Sequence, residues 1–407
     1  MAAAQGPLAS RAYAVAAGVF LLVAPVTSSS GWRAAMLLVA ALALAVSAAR
    51  QERVLAGLCW PRAFVGWYAA WAALAAVSCL WSVSSEYSLS EWRREILYGA
   101  LAFGVFYAGT ADPVRWRRGC MILIAGAALL AVAELVRVAV GLRWLPRELH
   151  GGPGRFTTHL VIVAPLLACL LHELPLGLGR RPALAVVALG VFFLAAFASG
   201  NRIVWIAFFA AFVVIAALAR APRAQAPWRV ALITGFGALI LALFALSIVQ
   251  KAEDVYPDAA NAGESLAMDL RPKLWGLAVD AVADRPLLGH GFGHEILADR
   301  FRAGIGTRGY EFASHGHNMF LNAAVSLGAV GLAILVAMLA ALALAYRRLL
   351  AQPSTRFLGA LGLAILAAFV AKNLTDDFFV RHNALVFWAV NGMLLGLGQR
   401  LDVPRGP

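Results

Sequence analysis

Two histidines stand where a long polar stretch meets an apolar one, in Ser314-His315-Gly316-His317-Asn318-Met319-Phe320-Leu321. Imidazole titrates near neutral pH and takes a proton from a hydroxyl readily, so His317 is a candidate general base. A satisfied loop histidine is the plainer alternative. A zinc site needs further ligands, and the nearby acids Glu295 and Glu311 stand at no recognised spacing from the pair,. No metal is expected. Asn318 is placed to orient either the ring or an acceptor, and His315 is a further possible contact.

Permanent cations accompany the base. Arg202 interrupts a sequence that is otherwise apolar from Pro182 to Leu218, directly after the turn Ser199-Gly200-Asn201. An arginine there either snorkels to lipid head groups or marks a site, because an ionisable group at membrane depth is costly. A helix start would add free N–H groups and a favourable dipole for an anion. Arg271 stands four residues before Trp275, so on a helix the two share a face, giving either a solvated cation–π pair or a second charge aimed at the same anion. Arginine stays protonated and grips phosphate with a planar fork. Asp376 and Asp377 open a later polar segment. They read as helix-end solvation, as an acid orienting His317 or Arg271, or as a divalent-ion pair. Arg155 is a further polar group of that kind. Fixed cations beside one titratable base suit transfer of a group from a lipid diphosphate: the cations stabilise charge on the departing oxygen while the base deprotonates an acceptor hydroxyl.

The elements that must carry these residues are membrane helices. Of 407 residues, 62% are hydrophobic and 14% charged, against about 45–50% and about 25% in ordinary globular domains. Apolar runs fall at 12–27, 34–49, 63–81, 95–109, 118–140, 157–171, 183–199, 203–219, 229–249, 318–345, 357–371 and 383–398. Lipid offers the backbone no partners, so such runs must be helical. The expected fold is an all-α, polytopic bundle of about twelve transmembrane helices, one domain over 1–407, with the first helix uncleaved. Cys59, Cys79, Cys120 and Cys169 show no paired spacing and imply neither a disulfide framework nor zinc,.

The connections alternate in charge. Arg50, Arg53 and Arg62, then Arg115, Arg117 and Arg118, Arg180 and Arg181, Arg220, Arg223 and Arg229, and Arg347, Arg348 and Arg356 fall on one side with both tails. Set against Glu52, Asp112, Glu173 and Asp402, that side holds the whole net charge of +13. The positive side is the cytoplasmic one, which places both termini inside. The balanced side faces outward and holds 81–95, 141–157, the 199–202 turn, the loop 250–316, and 373–382. The basic excess is thus a topology signal, and no nucleic-acid partner is expected. Within the loop, Ser265 to Asp284 carries leucines at helical spacing, Arg285-Pro286 ends that helix, and Gly289 to Gly293 makes a turn,.

The pattern His317-Asn318, nine residues, Gly328-Ala329-Val330-Gly331 resembles the signature of the O-antigen ligases, which are related to the O-antigen polymerases. Ser199-Gly200-Asn201-Arg202 resembles their Ser-x-x-Arg turn, and Arg271 resembles their loop arginine. The resemblance implies a fold like the GT-C-like glycosyltransferases, with a large periplasmic loop containing short helices, in a multi-pass protein of the bacterial inner membrane. It implies inverting, metal-independent transfer of O-antigen polysaccharide from undecaprenyl diphosphate to lipid A–core, at a periplasmic site and without a cofactor. Membrane lipids are the remaining partners. Carried over by motif, His317 is the base and Arg202 and Arg271 are diphosphate ligands, with Asp376 or Asp377 a looser match. Polymerase activity and transport of a lipid-linked sugar are the alternatives. A single large loop favours the ligase over the polymerase, and the absence of an internal repeat disfavours a transporter.

Overall fold

The computed structural model describes residues 8–50, 59–141, 149, 151–171, 181–218, 227–255, 269–306 and 313–402. Among these every regular element is helical. The helices are α1 (Leu8–Val23), α2 (Ser30–Ala49), α3 (Arg62–Ser78), α4 (Ser85–Glu91), α5 (Tyr98–Gly109), α6 (Pro113–Val140), α7 (Pro153–Val163), α8 (Pro182–Ala198), α9 (Ile203–Leu218) and α10 (Pro227–Val255). They continue with α11 (Arg271–Asp284), α12 (Ala298–Ile305), α13 (Met319–Leu349), α14 (Arg356–Asn373) and α15 (Arg381–Asp402). A π-turn, Trp92–Leu97, joins α4 to α5, and a 3₁₀ stretch, Ala164–Leu170, prolongs α7.

Among the described residues six segments are long and apolar enough to cross a membrane, Pro113–Val140 and Met319–Leu349 included, and four more apolar helices are shorter. Large apolar side chains such as Leu42, Leu129, Val186 and Leu241 lie exposed on the outside of the bundle. Water would penalise that surface and a bilayer would not. The chain is a polytopic, all-helical membrane protein.

Local sequence sets the helix ends. Asp112 caps α6, its carboxylate accepting from the N–H groups of Val114 and Arg115 at 3.0 and 3.1 Å, with Pro113 at the first helical position. Gly141, at φ 70°, closes the other end in the left-handed conformation,. In the core, Gly392 and Gly396 of α15 let that helix lie against the Phe103 and Tyr107 carbonyls of α5, where a Cβ would collide,.

Two departures from the expected spans matter for the site. The run 318–345 is a broken helix, because Gly328 sits at φ 67°, ψ −166° inside α13. The loop segment 286–291 docks on that break backbone to backbone. Ala329 N–H donates to the Pro286 carbonyl at 2.8 Å, while His290 and Gly291 donate to Val325 and Ser326 at 3.0 and 2.9 Å. The loop helix begins at Arg271, and residues 265–268 of its expected first turn lie outside the described residues. A second, smaller apolar cluster of Leu274, Ala278, Ala281, Ile296, Phe301 and Val325 seats α11 and α12 on the first half of α13.

Candidate functional site

At one end of the bundle five separate segments converge. The first is the 199–202 turn, where Gly200 takes φ 67° and α9 starts immediately after Arg202. The second is the start of α11, where the Asp269 carboxylate accepts the Arg271 N–H at 3.0 Å. The others are 290–295, 313–318 and the 373–380 turn between α14 and α15.

Asp269 ties the two arginines together. Its Oδ2 accepts from Arg202 Nη2 at 3.0 Å and from Arg271 Nη1 at 2.9 Å. Arg271 also reaches across to the 373–380 turn, donating from Nε to the Thr375 carbonyl at 2.8 Å and from Nη2 to Asp376 at 3.1 Å. Its guanidinium is therefore fixed on three sides rather than solvated. Arg202 is 11% exposed, and its Nη1 is buried without a hydrogen-bond partner among the described residues. A buried guanidinium N–H left unmatched is expensive and is a ready donor for an incoming anion.

Asp376 is a second hub. Its Oδ2 accepts from Lys372, four residues earlier on α14, and from Asn201 Nδ2 at 3.1 Å. Burial would raise this carboxyl, but Lys372 and Arg271 hold it well below the usual carboxylate range. Its neighbour Asp377 faces the other way, toward His294 Nε2 at 3.4 Å. There burial dominates and pushes the carboxyl up to about 7. The two adjacent acids thus occupy different environments: one is an ion-pair partner of Arg271, the other sits beside an imidazole.

The histidines form a row. His294 and His315 rings lie 4.0 Å apart between centroids, and His315 and His317 lie 4.1 Å apart. Burial lowers His294 to about 3 and holds His315 well below its ordinary value, with Arg155 a further lowering influence on both. Neutral rings therefore back His317, which is partly exposed and also lies near enough to Asp376 to help depress it. His317 adopts φ 47°, a left-handed backbone rare for any residue but glycine. Such strain, of order 1–2 kcal/mol, clusters at functional positions.

Asn318 sits at the start of α13. Its side chain caps α13, accepting from the Phe320 and Leu321 N–H groups at 3.0 and 3.1 Å, and donates to the Leu374 carbonyl at 2.8 Å. Trp275 is half-buried on α11, one turn beyond the arginine, and its indole N–H has no partner among the described residues. Arg155 lies on α7 near Arg381 and the histidines, and its carbonyl accepts from Asn383 at 3.1 Å. Among the described residues no group of three or more His, Cys, Asp or Glu side chains is arranged to hold a metal.

Sequence reasoning passed over four residues: Asp269, Lys372, Asn201 and His294. Lys372 carried a readable signal, a lone cation in the last turn of an apolar helix and four residues from an acid. Asp269 did not, since nothing in its spacing distinguishes it from the other acids of the loop.

Residues 184–336 match the family described as O-antigen ligase. That segment contains Arg202, Asp269, Arg271 and the whole histidine row. No curated protein matches the chain.

Proposed function

We propose, for a chain whose residues 184–336 match the family described as O-antigen ligase, transfer of O-antigen polysaccharide from undecaprenyl diphosphate to the lipid A–core oligosaccharide. The proposed site faces the periplasm from the bacterial inner membrane, with both termini cytoplasmic. The observation that carries this reading is the Asp269-bridged pair of arginines, one with an unmatched buried N–H, beside the histidine row.

In this reading the diphosphate oxygens bind Arg202 and Arg271 and the start of α9. Fixed guanidinium charge stabilises the departing diphosphate, so the proposed reaction needs no metal. Asp269 holds both forks in register before the donor arrives. Asp376, itself anchored by Lys372 and Asn201, keeps Arg271 aimed. His317 takes the proton of the acceptor hydroxyl as the oxygen attacks the sugar carbon from the face opposite the diphosphate, which inverts that centre. The left-handed backbone at His317 sets the direction in which its ring leaves the chain. The topology rests on the arginine excess of the opposite connections,.

The test is transfer by purified protein, with one lipid-linked glycan as donor and lipid A–core as acceptor. Glycan on the lipid A–core is expected, whereas a longer lipid-linked glycan would make the protein a polymerase. His317→Ala should lower transfer by about 10²–10⁴-fold, the usual range for a general base, while still binding the donor. Wild-type rates in that variant would remove His317 from the role.

A further inference from the structure

Beside His294 lies a cavity of about 50 Å³ lined by Glu95, His294, Asn322, Ser326, Asp377 and apolar neighbours. A water occupies about 30 Å³ in the liquid and needs two to four polar partners. This space holds one or two. Glu95 Oε1 is buried there and has no hydrogen-bond partner among the described residues. An orphaned carboxyl oxygen beside a polar cavity is what a bound water satisfies.

Acids continue from the cavity toward the surface. Burial, with Glu91 beside it, raises the Glu95 carboxyl, and a proton held there is within reach of the Glu91 carboxylate. Glu91 in turn pairs at 3.3 Å with Arg94, whose side chain is 57% exposed. On the inner wall, Asp377 Oδ2 lies 3.4 Å from His294 Nε2, whose 2.7 Å hydrogen bond goes to the Asp377 main-chain carbonyl, and Asn322 and the Phe379 N–H lie near the carboxyl. The charged groups facing this set are Asp376 beside Asp377, Arg381 near Glu95 and His294, and Arg155 near Glu95 and His294.

We propose that Asp377, water in this cavity and the Glu91–Glu95 pair form a proton exit from the histidine row to the surface at Arg94. The inference rests on the reading of His317 as the base. In the transfer step the acceptor O–H bond breaks and its oxygen bonds to the sugar carbon. The carbon–oxygen bond to the diphosphate breaks, and its electron pair leaves with the diphosphate. The proton moves to His317. A cation in that row is opposed by Arg155, Arg271 and Arg381 and needs a counter-charge. Asp377 supplies it by passing its own proton through the cavity water to Glu95 and Glu91, which leaves a carboxylate beside His294; the His317 proton then passes along the row through His315 and His294 to that carboxylate, which restores both groups. The proton on the acid pair then leaves at the exposed end.

Two variants of the full chain test this. Glu95→Gln keeps the shape and removes the acceptor. Ala323→Val adds two methyl groups to the cavity lining and displaces water while every titratable group stays. Each should lower kcat at neutral pH by about tenfold, a fraction of a full general-base effect, with KM and donor binding unchanged. An infrared pH titration of the protonated carboxyl bands needs no turnover. There, Glu95→Gln should remove one band and shift the midpoint of the band that Asp377→Asn abolishes. Wild-type kcat in both variants, with an unshifted Asp377 midpoint, overturns the exit. A wild-type protein that transfers nothing, yet shows the two carboxyls titrating together, instead overturns the ligase reading and supports the coupled acids.

Discussion

Lys372→Met isolates the cost of the buried ion pair that aims Arg271. Lys372 is 0% exposed and Asp376 is 3% exposed, and the ammonium also stands 5.5 Å over the Phe378 ring. Removing one partner of a buried pair costs about 3–5 kcal/mol, because the other charge stays behind unmatched. Asp376 keeps Arg271 and Asn201, so the lower end applies, about 3 kcal/mol. That is about a hundredfold in the folded-to-unfolded ratio. Replacing both charges with apolar side chains of similar size is often neutral, so Lys372→Met with Asp376→Leu should recover most of the loss. Transfer should not recover, since Arg271 would retain Asp269 and the Thr375 carbonyl but lose the contact that draws it toward the histidines. Denaturant unfolding in detergent, followed by tryptophan fluorescence, reads the stabilities, and glycan transfer reads the activity. A single variant within about 1 kcal/mol of wild type, or a double variant no more stable than the single, would refute this account of Asp376.

Arg202→Lys keeps the charge and loses the planar fork, so transfer should fall about tenfold or more; near-normal turnover would mean that charge alone suffices. Gly328→Ala places a Cβ against the Leu287 carbonyl at a φ of 67° and should cost more than about 1–3 kcal/mol, read by unfolding and by proteolysis of the loop. Asp377 has its folded value raised from 3.8 to about 7, so its stabilising contribution is full below about 3.8 and is lost as pH rises through about 7. His294 is depressed from 6.5 to about 3, so its contribution is full above 6.5 and is lost as pH falls. Asp377→Asn should therefore flatten the loss of stability on the rising side and His294→Gln the loss on the falling side, each by up to about 1.4 kcal/mol per pH unit, and unfolding titrations of the two variants check both signs.

The helices were legible because lipid leaves the backbone one solution, and each apolar run falls on one. Arg202 and Arg271 were legible for a related reason: a cation next to apolar sequence needs an explanation. Their meeting at one carboxylate was not, because Asp269 lies two residues before Arg271 but 67 residues after Arg202, and only the fold sets that distance. The split between Asp376 and Asp377 was equally hidden. Adjacent residues in a turn point to opposite sides, and the sequence does not say which side holds Lys372 and which holds His294. Asn318 shows the reverse case. Its place beside the histidine suggested chemistry, while its spacing to the following apolar run is that of a helix cap.

The spacing between His317-Asn318 and Gly328 has a mechanical meaning that the residues alone do not convey. Met319 to Leu327 is nine residues of helix, a rise of about 13 Å. At its start Asn318 caps the helix and leaves His317 in a left-handed bend. At its end Gly328 breaks the helix, and the exposed N–H and C=O groups receive the segment 286–291. That segment leads directly into His294, which returns to the row beside His315. The half-helix is therefore a ruler held at both ends, one end carrying the proposed base and the other docking the loop segment that backs it. One inserted residue would turn the two ends by about 100° relative to each other. The Gly289 Cα, which already packs against the Ser326 and Gly328 backbone with no room for a Cβ, could then no longer dock. Fixed spacing in this stretch follows from the need to keep three imidazoles in one row, whichever acceptor the outermost one serves.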